Sequence, residues 1–194
     1  LLSMVDKIDT LVGFFSIEKK PTGSKDPFAL RRAALGVIRI IVDGKLNLPL
    51  AIVLEAAAKG YGFASVDPDL LPFIHDRLRG YLRDQKMRHD VVAAALANTD
   101  GDNILQMAAR ATALAVFLAG PDGSGLMGGW RRVSSILAAE EKKARRVFAA
   151  SCDPALLNDI EQALFTPLSA IADNHSGVDA QLSALGALRS PIDV

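Results

Sequence analysis

Apolar residues recur at steps of three and four along most of the chain, the spacing of one buried helical face. Met4, Ile8, Leu11 and Phe15 set this pattern over residues 1–15. Pro21-Thr22-Gly23-Ser24 then interrupts it with turn chemistry. Asp26-Pro27 predicts the start of a second helix, a carboxylate cap followed by a proline at the first helical position. That helix carries Leu30, Ala34, Val37, Ile38 and Ile41 to a glycine stop at Gly44. Residues 49–59 predict a third, closed by Gly60 and Gly62.

The second half repeats the grammar. Asp67-Pro68 opens a segment with Leu71, Ile74, Leu78, Tyr81 and Leu82 on one side, and residues 89–98 form a short alanine-rich helix. Asp102 is the expected cap of a helix through Leu105, Ala108, Thr112 and Val116, ended by Gly120-Pro121. Residues 126–146 follow, with Trp130, Val133, Ile136 and Leu137 as the apolar face; the Trp130 ring is expected to pack in the core, its alternative being a base-stacking platform. Asp153-Pro154 predicts the start of a helix with Leu157, Ile160, Leu164 and Leu168, and residues 178–189 form the last, with Leu182, Leu185 and Leu188. Period-two alternation is absent. The expected class is all-α, a helical bundle of two packed modules divided near residues 61–68.

Composition narrows this little. Apolar residues make up 50% and charged residues 23% of 194, an ordinary globular balance. The 22 basic and 22 acidic side chains cancel, which excludes a polycation of the histone type. A single cysteine, Cys152, excludes a disulfide framework and fits a reducing compartment. No apolar run reaches the roughly 18 residues a membrane span needs. The ends read as a piece cut from a longer protein.

Charge is uneven despite its zero sum. Residues 1–50 hold eight basic and five acidic groups, and residues 147–194 one and six. Between them Arg131, Arg132, Lys142, Lys143, Arg145 and Arg146 face only Glu140 and Glu141, a phosphate-contacting pattern or a solvated helix end. Arg77, Arg79, Arg83, Lys86 and Arg88 form a second cluster diluted by Asp76 and Asp84, where a solvated face is favoured.

Specific chemistry is hard to assemble. His75, His89 and His175 lie on separate segments without metal-ligand spacing. Arg88-His89-Asp90 contains the letters of an HD phosphohydrolase, but no upstream histidine completes the set, and it reads as a helix start with a first-turn acid. The Gly120–Gly125 stretch lacks a phosphate-loop pattern and reads as a flexible helix–helix connection. Gly23-Ser24-Lys25-Asp26-Pro27 places a lysine beside a helix N-terminus, where Asp26 itself takes the amides that an anion would use. No catalytic residue and no metal site are expected.

The run Asp6-Lys7-Ile8-Asp9-Thr10-Leu11-Val12-Gly13-Phe14-Phe15, followed by Pro21-Thr22-Gly23-Ser24-Lys25-Asp26-Pro27-Phe28-Ala29-Leu30-Arg31-Arg32-Ala33-Ala34-Leu35-Gly36-Val37-Ile38-Arg39-Ile40, closely resembles the β subunit of bacterial, heterotetrameric (α₂β₂) glycyl-tRNA synthetases. Weaker similarity continues through Asp76-Arg77-Leu78, Arg131-Arg132-Val133-Ser134-Ser135-Ile136-Leu137 and Leu185-Gly186-Ala187-Leu188-Arg189-Ser190-Pro191-Ile192-Asp193.

The resemblance implies that residues 1–66 are the end of an HD-like helical domain, with Asp6 at the motif's last aspartate. Residues 67–194 then resemble a C-terminally truncated, DALR-type anticodon-binding domain. It implies part of a glycine–tRNA ligase without a complete active site, with ATP and Mg on the α subunit and no cofactor here. The implied partners are tRNA-Gly and the α subunit, not DNA or a membrane, in the cytoplasm. Candidate tRNA contacts are Arg131, Arg132, Lys142, Lys143, Arg77 and Arg83. The competing readings are an HD-type metal-dependent phosphohydrolase and a structural scaffold for subunit assembly.

Overall fold

The computed structural model describes residues 2–97, 101–148, 153–172 and 178–188. Among the described residues the chain is all-α, with helices α1 (Leu2–Ser16), α2 (Leu30–Asp43), α3 (Leu50–Gly60), α4 (Leu70–Asp84), α5 (His89–Ala97), α6 (Ile104–Ala119), α7 (Pro121–Ala144), α8 (Asp159–Ala172) and α9 (Val178–Ala187). Two compact units divide it, Leu1–Thr112 and Ala113–Val194. No single described helix is long and apolar enough to cross a membrane.

The first unit owns the core. Met4, Ile8, Leu11, Val12 and Phe15 of α1 are buried against Leu30, Ala34, Val37, Ile38 and Ile41 of α2, as the three–four spacing predicts. α3 packs on α1, and α4 on α1 and α2, bringing Leu54, Ile74, Leu78 and Leu82 into the same cluster. The division expected after residue 66 falls inside this unit. Lys20, just past α1, reaches Asp67 and Asp69 at 2.8 Å each, tying the end of α1 to the approach of α4. Those two carboxylates, Asp67 foremost, hold the Lys20 ammonium above the usual lysine range.

Helix starts depart from expectation in one consistent way. Asp26 caps α2, its carboxylate accepting from the amides of Leu30 and Arg31 at 2.8 and 3.0 Å, but the helix begins at Leu30 and Pro27 lies in a preceding turn. Ala29 there is left-handed, with φ 54°. Asp26→Ala is expected to destabilise the first unit by about 1 kcal/mol, the common value of a lost cap; an unchanged thermal midpoint would show that those amides are satisfied otherwise. At Asp153-Pro154 the aspartate caps only a 3₁₀ turn, Pro154–Leu156. α8 begins later, with Asn158 accepting from Ile160 and Glu161 amides while Glu161 reaches back to the Asn158 amide, a capping box.

Asp102 serves another helix than the one expected. Its carboxylate accepts from the Ala51 amide at 2.6 Å and its carbonyl from Leu50, so it caps α3 from across the chain. Asn103 caps α6 instead, accepting from Gln106. The glycine stretch at residues 120–125 is likewise no flexible connection. Pro121 opens α7, and a Cβ on Gly123 would collide with the Phe117 carbonyl oxygen, so glycine permits the tight passage from α6.

Candidate functional site

α7 is the long helix of the second unit, 24 residues, of which only Gly123 and Gly129 are buried. Arg131, Arg132, Lys142 and Lys143 are all exposed on it. Positions eleven apart on an α-helix are nearly eclipsed, since eleven steps of about 100° make about three turns. Arg131 therefore lies over Lys142 and Arg132 over Lys143, about 16 Å apart along the axis, and the four share one side. Clusters that look separate in sequence form a single basic strip. Lys143 is paired with Glu140 at 2.5 Å, an exposed ion pair. The helix ends at Ala144, so Arg145 and Arg146 leave the strip; Arg145 is left-handed and Arg146 sits 5.3 Å from the Phe148 ring.

The apolar face of α7 corrects the sequence reading. Trp130 is 63% exposed, and Val133, Ile136 and Leu137 are exposed with it. The three–four pattern forecast the helix but not its burial. By the same helical arithmetic Trp130, Val133 and Leu137 lie opposite the basic strip, so the Trp130 ring is no stacking neighbour of those cations.

The second cluster is divided between two faces of α4. Arg77 is drawn into an ion pair with its neighbour Asp76 and lies 5.8 Å over the Phe73 ring, its side chain 31% exposed. Arg83, six residues on, points about 120° away and is exposed. The structure separates these two. Arg79 and Arg83, one turn apart, share the outer face of α4.

His75 sits half-buried on α4, with Nε2 buried and unpartnered among the described residues. Burial holds its imidazole below the usual pKa, Arg79 pushes the same way, and Asp102 opposes them. The folded unit thus favours neutral imidazole. Its stabilising contribution is complete above the unfolded value near 6.5 and is lost as pH falls through the lower folded value. The melting midpoint should decline from pH 7 to pH 5, and His75→Gln should flatten that decline. An equally steep decline in the variant would remove His75 from the account.

The remaining candidates lie apart. Asp6 is exposed on α1 and His89 is exposed at the start of α5, beside the Arg88–Asp90 pair at 2.5 Å. Among the described residues no three His, Cys, Asp or Glu side chains are placed to hold a metal ion. Cys152 and His175 fall outside the described residues. A surface hollow of about 380 Å³ is lined by Asp9, Thr10, Gly13, Phe14, Ile17, Tyr61 and Phe63. Its carboxylate, Asp9, already accepts from the Tyr61 hydroxyl at 2.7 Å. No nucleophile–base pair faces it.

Among the described residues the candidate site is a charged surface. The family described as "Glycyl-tRNA synthetase beta subunit" matches residues 1–97. The "Glycine--tRNA ligase beta subunit" of Cereibacter sphaeroides is 42% identical over 206 aligned positions, covering 99% of this chain. The chain spans 30% of that relative's length. The match runs through α1, α2 and the long α7 alike, and with it the chain belongs to the glycyl-tRNA synthetase β-subunit family.

Proposed function

We propose that this chain supplies tRNA recognition to a glycine–tRNA ligase whose adenylate chemistry, with ATP and Mg, resides on an α subunit of an α₂β₂ cytoplasmic assembly. The observation that carries this reading is the basic strip of Arg131, Arg132, Lys142 and Lys143 on one exposed side of α7, in a chain of this family. Arg83 on α4 is a secondary contact, and Arg77, committed to Asp76, contributes less. The chemistry is positional: cations neutralise phosphates while polar groups meet unstacked anticodon bases.

Two or three simultaneous phosphate contacts from this strip contribute about two to the salt slope, at about 0.7 per single-strand contact, and imply micromolar binding or weaker at physiological salt. Anisotropy titrations of tRNA-Gly and an unrelated tRNA over increasing salt test it. Arg131→Ala/Arg132→Ala and Lys142→Ala/Lys143→Ala should each weaken binding and lower the slope. Parent-like binding by both double variants would defeat the α7 assignment. The scaffold reading draws on the exposed Trp130, Val133 and Leu137, the kind of apolar face that protein partners cover. It is favoured if neither tRNA binds while the α subunit does.

A further inference from the structure

A second cluster of cations lies in the first unit, where α1 crosses α2. A Cβ on Gly36 would meet the Lys7 side chain at 2.5 Å from its Cε, so the lysine stem lies directly across that glycine. Arg32 precedes Gly36 by one turn and Arg39 follows it by three residues, so both flank it on the same outer face of α2. Both arginines are exposed, and the Lys7 ammonium turns toward Ser3, bonding its Oγ at 2.8 Å. Three cationic side chains thus issue from positions around one glycine. Among the described residues none of the three has an ion-pair partner, although Asp43 lies one turn beyond Arg39 and Asp6 adjoins Lys7.

Like charges gathered at one spot repel, and they are relieved by an anion that bridges them. Arg32 and Arg39 stand about 10 Å apart along the helix axis, a span over which an extended polyanion can meet both at once. The glycine, having no side chain, lets the Lys7 stem lie on α2 between them. We propose that Lys7, Arg32 and Arg39 form a phosphodiester-binding site for RNA on the first unit, additional to the strip on α7. This site rests on the tRNA-recognition reading and extends it to a second surface of the same chain.

The test is tRNA-Gly binding by anisotropy across a salt series, with thermal melts of every variant. Arg32→Ala/Arg39→Ala should weaken binding severalfold and lower the salt slope by about 1–2, with the melting midpoint unchanged, because each lost phosphate contact removes about 0.7–0.9. Gly36→Ala is the second variant. Alanine favours the helix, and its methyl displaces only the flexible end of Lys7, so binding should weaken while the midpoint holds or rises. At matched ionic strength, inorganic phosphate and chloride should compete equally.

If Arg32→Ala/Arg39→Ala binds as the parent does while the α7 variants weaken, this site is overturned and the α7 reading stands. If the α7 variants are parent-like and the α2 variant weakens, this site stands and the α7 assignment falls. Selective displacement by inorganic phosphate would overturn it in favour of a small-anion pocket. A parent chain that binds no tRNA overturns both.

Discussion

Phe15→Ala is expected to cost the first unit about 3–5 kcal/mol, the usual range for truncating a large buried aromatic side chain. Phe15 is 2% exposed at the end of α1, and its ring centre lies 5.1 Å from that of Phe73 on α4. The Lys20 ammonium, held by Asp67 and Asp69, sits 6.0 Å over the same ring. One side chain therefore closes the corner where α1, α4 and the segment leading into α4 meet. Alanine leaves a void that helices pinned along their other contacts cannot collapse to fill, and the thermal midpoint should drop on the order of 10–20 °C. Phe28→Ala is the control: that ring stacks on Phe14 at 4.1 Å but is 40% exposed, so its loss should cost much less. Equal midpoints for the parent and Phe15→Ala would mean that this corner does not hold the unit together.

The first unit was legible in the sequence because one pattern served both helix and core. Each of Met4, Ile8, Leu11 and Phe15 lies inside, as do all five positions named on α2. The identical pattern on α7 forecast a helix correctly and a buried Trp130 wrongly. Periodicity reports that a face is apolar; it does not report what lies against it. Helix starts failed for a different reason. Asp-Pro predicts a cap plus the first helical residue, but at Asp26 and Asp153 the pair first forms its own turn. At Asp26 its carboxylate still reaches helical amides farther along.

Long-range partnerships were illegible for a third reason. That Asp102 caps α3 rather than α6, and that Lys20 bridges to Asp67, depends on packing between segments about fifty residues apart. The basic strip is half visible in the sequence: its residues stand out by charge, while the register that aligns Arg131 with Lys142 lies in an eleven-residue spacing that charge counting does not show. The cluster at Gly36 had only a weak signal, two arginines seven apart on one predicted helix. The contact of Lys7 with that glycine appears only when α1 and α2 are packed.

Pro167→Ala is expected to stabilise the second unit by about 2 kcal/mol. Pro167 stands inside α8, nine positions into a helix of 14 residues. There it has no amide to donate to the carbonyl of Ala163, and its ring crowds that carbonyl, a defect that costs about 3 kcal/mol in a helix interior. Alanine restores the bond and the preferred backbone, while the more flexible unfolded chain returns about 0.4–1 kcal/mol of that gain. Packing does little to offset the defect. No residue of α8 is fully buried among those described, Ile160 and Leu168 are exposed, and its main neighbour is α9. The Asn158–Glu161 capping box therefore carries much of the helix's support at its start. Far-UV ellipticity at 222 nm should deepen in the variant, and the transition of the second unit should rise while that of the first is unmoved. Unchanged ellipticity with an unchanged transition would mean that the proline is accommodated without cost, and that α8 is limited by what covers it rather than by its backbone.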